Sequence, residues 1–231
     1  MLKELLIQRA NRIIFLTGIL LFNVLSLCGR VYLGAPFMTG MVLQQKSDVS
    51  LWGKATANAK VTILPSWMTT PVSCNADENG NWKIKVATPT ASFEKQTITF
   101  SDGSDKNTVV GNVLIGEVWI ASGQSNMSMP VVGWTNSPIH NVDSILNSAE
   151  NYADRLRFTT IPIGGSRYPQ DSTKVIWQRC SKSAVENFSA VAYFFATHLI
   201  DSLNVPVGVI SCSYGGSSLE TWIPTEVNES F

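Results

Sequence analysis

A serine next to a predicted chain turn is the residue of this sequence best suited to covalent chemistry. Ser125 follows an apolar run at residues 118–121 and the small pair Ser122-Gly123. The apolar run predicts a short buried strand, and glycine lets the backbone turn sharply where that strand ends. Open α/β folds bind their ligands at the carboxyl edge of the sheet, where this turn would present the hydroxyl. We interpret Ser125 as a nucleophile, with an ordinary Gly-x-Ser turn as the alternative.

A second glycine-bearing loop is predicted at the same edge of the sheet. Gly215 and Gly216 follow a buried strand predicted at residues 207–212. Glycines expose backbone N–H groups that side chains would otherwise cover, and such donors stabilise the oxyanion that forms when a serine attacks an ester carbonyl. The candidate oxyanion donors are therefore the N–H of Ser125 and that of Gly215 or Gly216. An ordinary turn is again the alternative.

A serine nucleophile also needs a base that takes its proton. The chain contains two histidines. His140 lies in a polar loop and His198 lies beside the apolar stripe of a predicted helix, so neither is assigned as the base. Gln124 and Asn126 flank the serine. We expect these amides to brace the loop, with substrate orientation as the alternative.

Strand patterns dominate the chain from residue 30 to residue 112. Several short segments are rich in β-branched and aromatic residues and alternate as half-buried strands do. Turn signals such as Asn79-Gly80 separate them. The spacing predicts a small antiparallel sandwich. The strand candidates are residues 49–52, 61–64, 82–86 and 97–100.

After residue 112 the pattern changes to alternating strands and helices. Strands at 156–161 and 207–212 are each preceded by a predicted helix, at about 142–153 and 189–203. This order predicts a parallel sheet with crossover helices. The apolar residues of the longer helix recur mainly at spacings of three and four, so we expect them to pack on the sheet. They are Phe188, Val191, Ala192, Phe194, Phe195, Leu199 and Leu203.

Blocks of this sequence resemble the sialate O-acetylesterase branch of the SGNH-type carbohydrate esterases. The most specific block is Gly-Gln-Ser-Asn-Met at residues 123–127, preceded by Gly-Glu-Val-Trp at residues 116–119. Other similar blocks follow the family's order across nearly all of the chain after residue 30. They are residues 41–45, 52–53, 79–82, 188–195, 205–208 and 215–216, and the Glu220-x-Trp222 pair.

The resemblance implies an α/β fold in two parts. An amino-terminal antiparallel β-sandwich at residues 30–112 would precede the first part of a flavodoxin-like SGNH hydrolase domain with a parallel sheet at residues 113–231. It implies an esterase that removes O-acetyl groups from sialic acid or a related sugar through Ser125, with no cofactor and no metal. Glu220 and Trp222 are candidate substrate or loop-support residues.

Two blocks of that family do not occur in the sequence. They are the Asp-x-x-His block that carries the catalytic acid and base, and a Gln-Gly-Glu block that completes the oxyanion hole. We therefore expect the chain to be the front part of a longer esterase, with little activity by itself. The alternatives are an acetylxylan esterase and, in another class, a non-catalytic carbohydrate-binding or structural protein.

The amino terminus and the charge balance predict export and a small substrate. Basic residues precede an apolar run at 13–27 and small residues follow, which predicts a secretory signal peptide at 1–28, with lipidation of Cys28 as an option. The protein would then be periplasmic or extracellular. Lysine plus arginine equal aspartate plus glutamate at 17 each, which disfavours nucleic acid or an anionic membrane as partner. In an exported chain Cys180 and Cys212 are the first candidate disulfide pair, with free thiols as the alternative.

Overall fold

The computed structural model describes residues 30–168, 170, 172–223 and 227. The predicted signal peptide at residues 1–28 lies outside these ranges. None of the helices within them combines the length and the apolar character that a bilayer-spanning helix needs.

The first part of the chain is a sandwich whose strands pair antiparallel, as predicted, except for Val42–Gln44, which pairs in parallel with residues 114–116. A three-stranded sheet of order β1-β3-β6 faces the antiparallel part of a larger sheet, of order β8-β7-β4-β5. Apolar side chains from both sheets fill the space between them, among them Leu51, Ile63 and Phe100, all fully buried. The strands are β1 (Tyr32–Leu33), β2 (Val42–Gln44), β3 (Asp48–Lys54), β4 (Lys60–Pro65), β5 (Val72–Asn75), β6 (Asn81–Ala87), β7 (Ser92–Ser101) and β8 (Thr108–Gly123).

The second part of the chain has the predicted alternation of helices and parallel strands. β9 and β8 both pair in parallel with β11, which lies between them, and β10 adds an antiparallel edge to β9. The parallel sheet predicted from residues 156–161 and 207–212 is therefore confirmed. The elements are α1 (Ser125–Ser128), α2 (Val142–Ser148), β9 (Leu156–Thr160), β10 (Gln178–Arg179), α3 (Lys182–Val185), α4 (Ala190–Leu203) and β11 (Val207–Ser213), with 3-10 turns at Ala149–Tyr152 and Leu219–Trp222.

Strand β8 belongs to both parts. Its first half pairs with β7 of the sandwich, and residues 117–123 pair with β11. The expected domain boundary at residue 112 falls inside this strand, so the division into residues 30–112 and 113–231 stays a prediction.

The prediction that residues 118–121 form a short buried strand is wrong in two respects. They belong to the 16-residue strand β8, and their side chains are not buried. Trp119 is 45% exposed and Ile120 is 70% exposed. Within the described residues β11 is the one strand that pairs with positions 117–123, and no second layer covers Ile120. Apolar character indicated a strand correctly but did not establish what covers it.

The predicted buried face of α4 is also wrong in part. The helix begins after Ser189, whose hydroxyl accepts a hydrogen bond from Ala192 N, and Asn204 ends it in the left-handed conformation. Phe188 and Ala192 are buried, but most of the large apolar residues predicted to pack on the sheet are exposed. Apolar residues occupy more than one side of α4, and the small alanines allow the closer approach to the strands. The buried residues are Ala190, Ala192, Tyr193, Ala196, Thr197 and Ile200, and the exposed ones are Val191, Phe194, Phe195 and Leu203.

The three described cysteines are free thiols, so the candidate disulfide between Cys180 and Cys212 is not formed. Cys180 is fully buried and its thiol donates a hydrogen bond to Ala149 O at 3.3 Å. Burial raises the pKa of this thiol to about 12, and the nearby Glu150 carboxylate adds to the shift. Cys180 is therefore a packed core residue.

Candidate active site

The end of strand β8 presents Ser125 at a sharp turn. β8 ends at Gly123, whose φ of +144° disfavours any residue with a side chain, and α1 begins at Ser125. A methyl group at Gly123 would also lie 3.4 Å from Met127 Cβ. The expected strand, turn and serine therefore occur in that order, with the turn made by the glycine expected to make it.

The loop after β11 reaches the same corner. Gly123 is in register with Ser213, so the two parallel strands end side by side. Tyr214 N donates a hydrogen bond of 2.9 Å to Gly123 O, which joins the second loop to the first. A methyl group at Gly215 would lie 3.6 Å from Ser125 Oγ. The structure thus brings together Ser125 and Gly215, which are 90 positions apart in the chain.

Backbone donors at this corner are free within the part of the chain that the structure describes. The N–H groups of Ser125, Gly215 and Gly216 donate no hydrogen bond to a described residue. Gly216 has a φ of +78° and no heavy atom within 4 Å of where its side chain would begin, so its peptide lies open. These N–H groups can therefore donate to an oxygen placed beside Ser125.

A pair of hydroxyls that the sequence analysis did not identify joins the two loops. Ser128, the last residue of α1, donates to Ser213 Oγ at 3.0 Å and to Gln124 O at 3.2 Å. Ser213 is the last residue of β11. The sequence offered one indication of this pair, because a serine is the last residue both of α1 and of β11. These bonds hold the short helix of Ser125 against the neighbouring strand.

A second set of contacts that the sequence analysis did not identify connects the sandwich to this part of β8. Gln45 Nε2 and Gln44 Nε2 donate to the Glu117 carboxylate at 2.8 and 3.2 Å, and Gln44 Oε1 accepts from Val118 N at 2.8 Å. Both sequence blocks had been noted for their resemblance, yet nothing in the sequence showed that they touch. The contacts anchor β8 a short distance before the turn of Ser125.

Of the other expected site residues, Gln124, Asn126 and Glu220 are exposed and Trp222 is half-buried. Within the described chain neither the Gln124 nor the Asn126 side chain has a hydrogen-bond partner, so the expected bracing of the loop is not seen. Trp222 Nε1 donates to Ser217 Oγ at 2.9 Å, which fixes the indole to its own loop. A hydrogen bond from the Ser218 hydroxyl lowers the pKa of the exposed Glu220 carboxyl, which is therefore ionised at neutral pH.

Neither histidine contacts Ser125. His198 is exposed on α4, consistent with the expected helix-surface position. His140 is exposed and lines a hollow with Asp143 at the start of α2. Among the described residues no group accepts a hydrogen bond from the Ser125 hydroxyl, and none of their histidine, cysteine and acidic side chains form a cluster that would hold a metal ion.

The fold and the serine corner define a class of protein. No protein-family model matches the chain. A carbohydrate acetylesterase from Xanthomonas citri has a similar solved structure, with a TM-score of 0.76 and 27% identity over 86% of this chain and 43% of that one. The fold is that of an SGNH-type carbohydrate esterase.

Curated relatives define the family more closely. The sialate O-acetylesterase of Mus musculus is 30% identical over 200 residues, and that of Homo sapiens is 29% identical over 197 residues, each match covering 79% of this chain. Over most of its length, the chain is therefore similar to the sialate O-acetylesterases. It spans about a third of the length of these relatives, with 35% and 36% of their residues covered.

Proposed function

We propose that the protein is an exported serine esterase that removes O-acetyl groups from sialic acid or related sugars. The observation that carries the proposal is the convergence of Ser125 and the Gly215 loop at the ends of β8 and β11. The similarity to the sialate O-acetylesterases and to the solved carbohydrate acetylesterase supports an acetylated carbohydrate as substrate.

The geometry supports an acyl-enzyme route. Ser125 Oγ attacks the acetyl carbonyl, and the oxyanion accepts hydrogen bonds from the N–H groups of Ser125 and Gly215 or Gly216. The bond between the carbonyl carbon and the sugar oxygen breaks, the sugar leaves as an alcohol, and water then releases acetate from the serine. A backbone donor of this kind stabilises the transition state by roughly 3 to 4 kcal/mol.

The exposed polar groups around the corner support a sugar as the leaving group. The amides of Gln124 and Asn126 have no partner among the described residues, so they can orient sugar hydroxyls. The Glu220 carboxylate can accept hydrogen bonds from the same hydroxyls, and the Trp222 ring offers an apolar surface. We assign these four residues to substrate contact and loop support.

The proton of the Ser125 hydroxyl requires an acceptor that the described residues do not place beside it. A serine without its base retains only the residual catalysis that binding and the oxyanion donors supply. We therefore propose low esterase activity for the 231-residue chain.

The test is acetate release by the 231-residue chain from p-nitrophenyl acetate and O-acetylated sialic acid, with covalent labelling by a fluorophosphonate. We expect slow turnover and labelling at Ser125. Ser125→Ala should lower any release to the uncatalysed rate and remove the label, because loss of a serine nucleophile abolishes covalent catalysis. Ser122→Ala is the matched control, since this serine lies exposed in β8 three positions away.

Two other results would redirect the proposal. Faster acetate release from acetylated xylan than from sialic acid would favour an acetylxylan esterase. A folded chain that neither releases acetate nor labels would favour a non-catalytic carbohydrate-binding protein. The Ser125 hydroxyl, which has no acceptor among the described residues, also supports this alternative.

A further inference from the structure

A cavity of about 800 Å³ lies on the sandwich, within the first part of the chain and apart from the serine corner. Residues of β1, β3, β5 and β6 line it. Small-molecule sites commonly have about 300 to 1,000 Å³. The cavity is therefore large enough for one or more sugar rings.

The register of the three-stranded sheet shows which side chains share its outer face. Tyr32 is opposite Lys54, Lys54 is opposite Asn81, and Trp52 is opposite Lys83. Residues opposite one another and residues two apart on a strand point to the same side of a sheet. Two aromatic rings, two lysines and an asparagine thus stand on one face, and all five line the cavity.

The aromatic residues supply the apolar part of a sugar site. Tyr32 is 53% exposed, so its ring is accessible to a ligand. Trp52 lies on the neighbouring strand β3, two positions from Lys54, the residue opposite Tyr32. Its ring packs edge-on against that of Phe37, which fixes the orientation of the indole. Trp82 forms part of the wall, and its buried indole N–H has no hydrogen-bond partner among the described residues. The rings of Tyr32 and Trp52 can therefore offer apolar surface to the C–H face of a pyranose.

The polar residues supply directed hydrogen bonds and an excess of positive charge. Asp77 accepts hydrogen bonds from Asn81 Nδ2, Asn81 N and Asn79 N at 2.7 to 2.8 Å, so its carboxylate is held rigidly in the turn. Lys54 Nζ contacts Asn79 O at 3.4 Å. Neither Lys54 nor Lys83 forms an ion pair in the described parts of the chain. Two ammonium groups therefore face one carboxylate, on a chain without net charge.

We propose that this cavity binds a carboxylated sugar residue of a glycan, independently of the reaction at Ser125. The sugar ring stacks on Tyr32 and Trp52, its carboxylate pairs with Lys54 and Lys83, and its hydroxyls donate to Asp77. An uncharged sugar would contact the rings but would supply no anion for the two ammonium groups, which form no ion pair among the described residues. We therefore assign an acidic sugar.

A neighbouring hollow gives the glycan a direction. It has a volume of about 430 Å³, shares Trp52 with the first cavity, and continues to Ile161 and Ile210. Ile210 lies in β11, whose carboxyl end carries the Gly215 loop. A glycan seated on the sandwich therefore extends toward the parallel sheet.

Binding of 3′-sialyllactose, a trisaccharide with one carboxylated sugar, tests the proposal, with lactose as the uncharged control. We expect saturable binding of 3′-sialyllactose by titration calorimetry and at least about tenfold weaker binding of lactose. Tyr32→Ala and Lys83→Gln should each weaken binding of 3′-sialyllactose several-fold. Lys85→Gln is the matched control, because Lys85 lies exposed on the same face of β6 but outside the cavity.

The outcomes separate this site from the serine corner. Ser125→Ala should bind 3′-sialyllactose as the unchanged chain does, whatever its effect on acetate release. Equal affinity for lactose, no saturable binding, or full binding by folded Lys83→Gln would overturn the proposal. Circular dichroism establishes folding, and Lys83→Gln, an exposed substitution, decides the question if Tyr32→Ala does not fold.

Discussion

The sandwich and the parallel sheet of this protein differ in how completely their apolar side chains are covered. In the sandwich, residues from both sheets close a core in which Leu51, Ile63 and Phe100 have no exposed surface. In the parallel part, α4 packs on one face of β11, while Trp119 and Ile120 of the adjacent strand remain exposed. The same strand, β8, passes from the closed environment into the open one.

The difference shows that strand formation and burial are separate properties. Residues 117–123 of β8 are held by backbone pairing with β11 and by the contacts of Glu117 with the sandwich. Their position does not depend on burial of their own side chains. The corner of Ser125 therefore has a rigid base even where its surroundings are open.

The largest expected effect is the contrast between a phenylalanine in each region. Phe100→Ala should lower the free energy of unfolding by about 4 kcal/mol, because the ring is fully buried and leaves a cavity. Phe195→Ala should cost only about 1 kcal/mol, because this ring is 41% exposed and packs edge-on against the partly exposed Trp119. Urea unfolding followed by circular dichroism measures both.

Equal losses for the two variants would contradict the comparison. A large loss at Phe195 would mean that the exposed side of α4 is covered in solution. A small loss at Phe100 would mean that the sandwich core relaxes around the missing ring.

The sequence predicted the positions of helices and strands better than it predicted which of their sides are buried. Strand positions in the sandwich, the ends of α4 at Ser189 and Asn204, and the parallel strand at residues 207–212 followed from local patterns, because β-branched runs, caps and turns act over a few residues. The exposure of Phe194 and Phe195 could not be predicted from local patterns, since it depends on which side of the helix contacts the sheet. Residues distant in the sequence determine which side that is.

The candidate site shows the same limit. Gly123 has the positive φ that the turn requires, and Gly215 lies beside Ser125, both of which were expected from glycines at strand ends. The Ser128–Ser213 hydrogen bond joins residues 85 positions apart, and no local pattern specifies such a pair. The resemblance supplied the role of Ser125, whereas physical patterns alone left an ordinary turn open.

A smaller effect tests where the two regions join. A methyl group at Gly116 would lie 2.0 Å from Pro206 O, so Gly116→Ala must move the middle of β8 away from Pro206, the residue that precedes β11. We expect a loss of about 2 to 3 kcal/mol in the free energy of unfolding. Gly111→Ala is the matched control in the same strand, since nothing lies within 4 Å of its side-chain position, and it should change stability by less than about 0.5 kcal/mol.

Two-dimensional NMR would show which residues change chemical shift in the Gly116→Ala variant. Shifts confined to β8, β11 and the Ser125 corner would support the close approach as the cause. Shifts spread through β4 and β7 would show that the sandwich depends on this junction too, and the two regions would then not be separable.

The smallest expected effect on the free energy of unfolding comes from the hydroxyl group of Tyr152, in the part of the chain that contains the parallel sheet. Tyr152 donates a hydrogen bond of 2.8 Å to Asp201 on α4, and burial together with this carboxylate raises the pKa of the phenol to about 12. The raised pKa stabilises the fold below pH 10, the ordinary value, and the contribution is lost as pH rises from 10 to 12. Tyr152→Phe should cost at most about 1 kcal/mol at pH 8, because the pair is partly solvated. The difference between the two proteins should shrink from pH 10 upward in urea unfolding. Asp201→Asn, which keeps an acceptor but removes the charge, should lie between them; a difference that stays constant with pH would show that the hydroxyl does not titrate late in the folded chain.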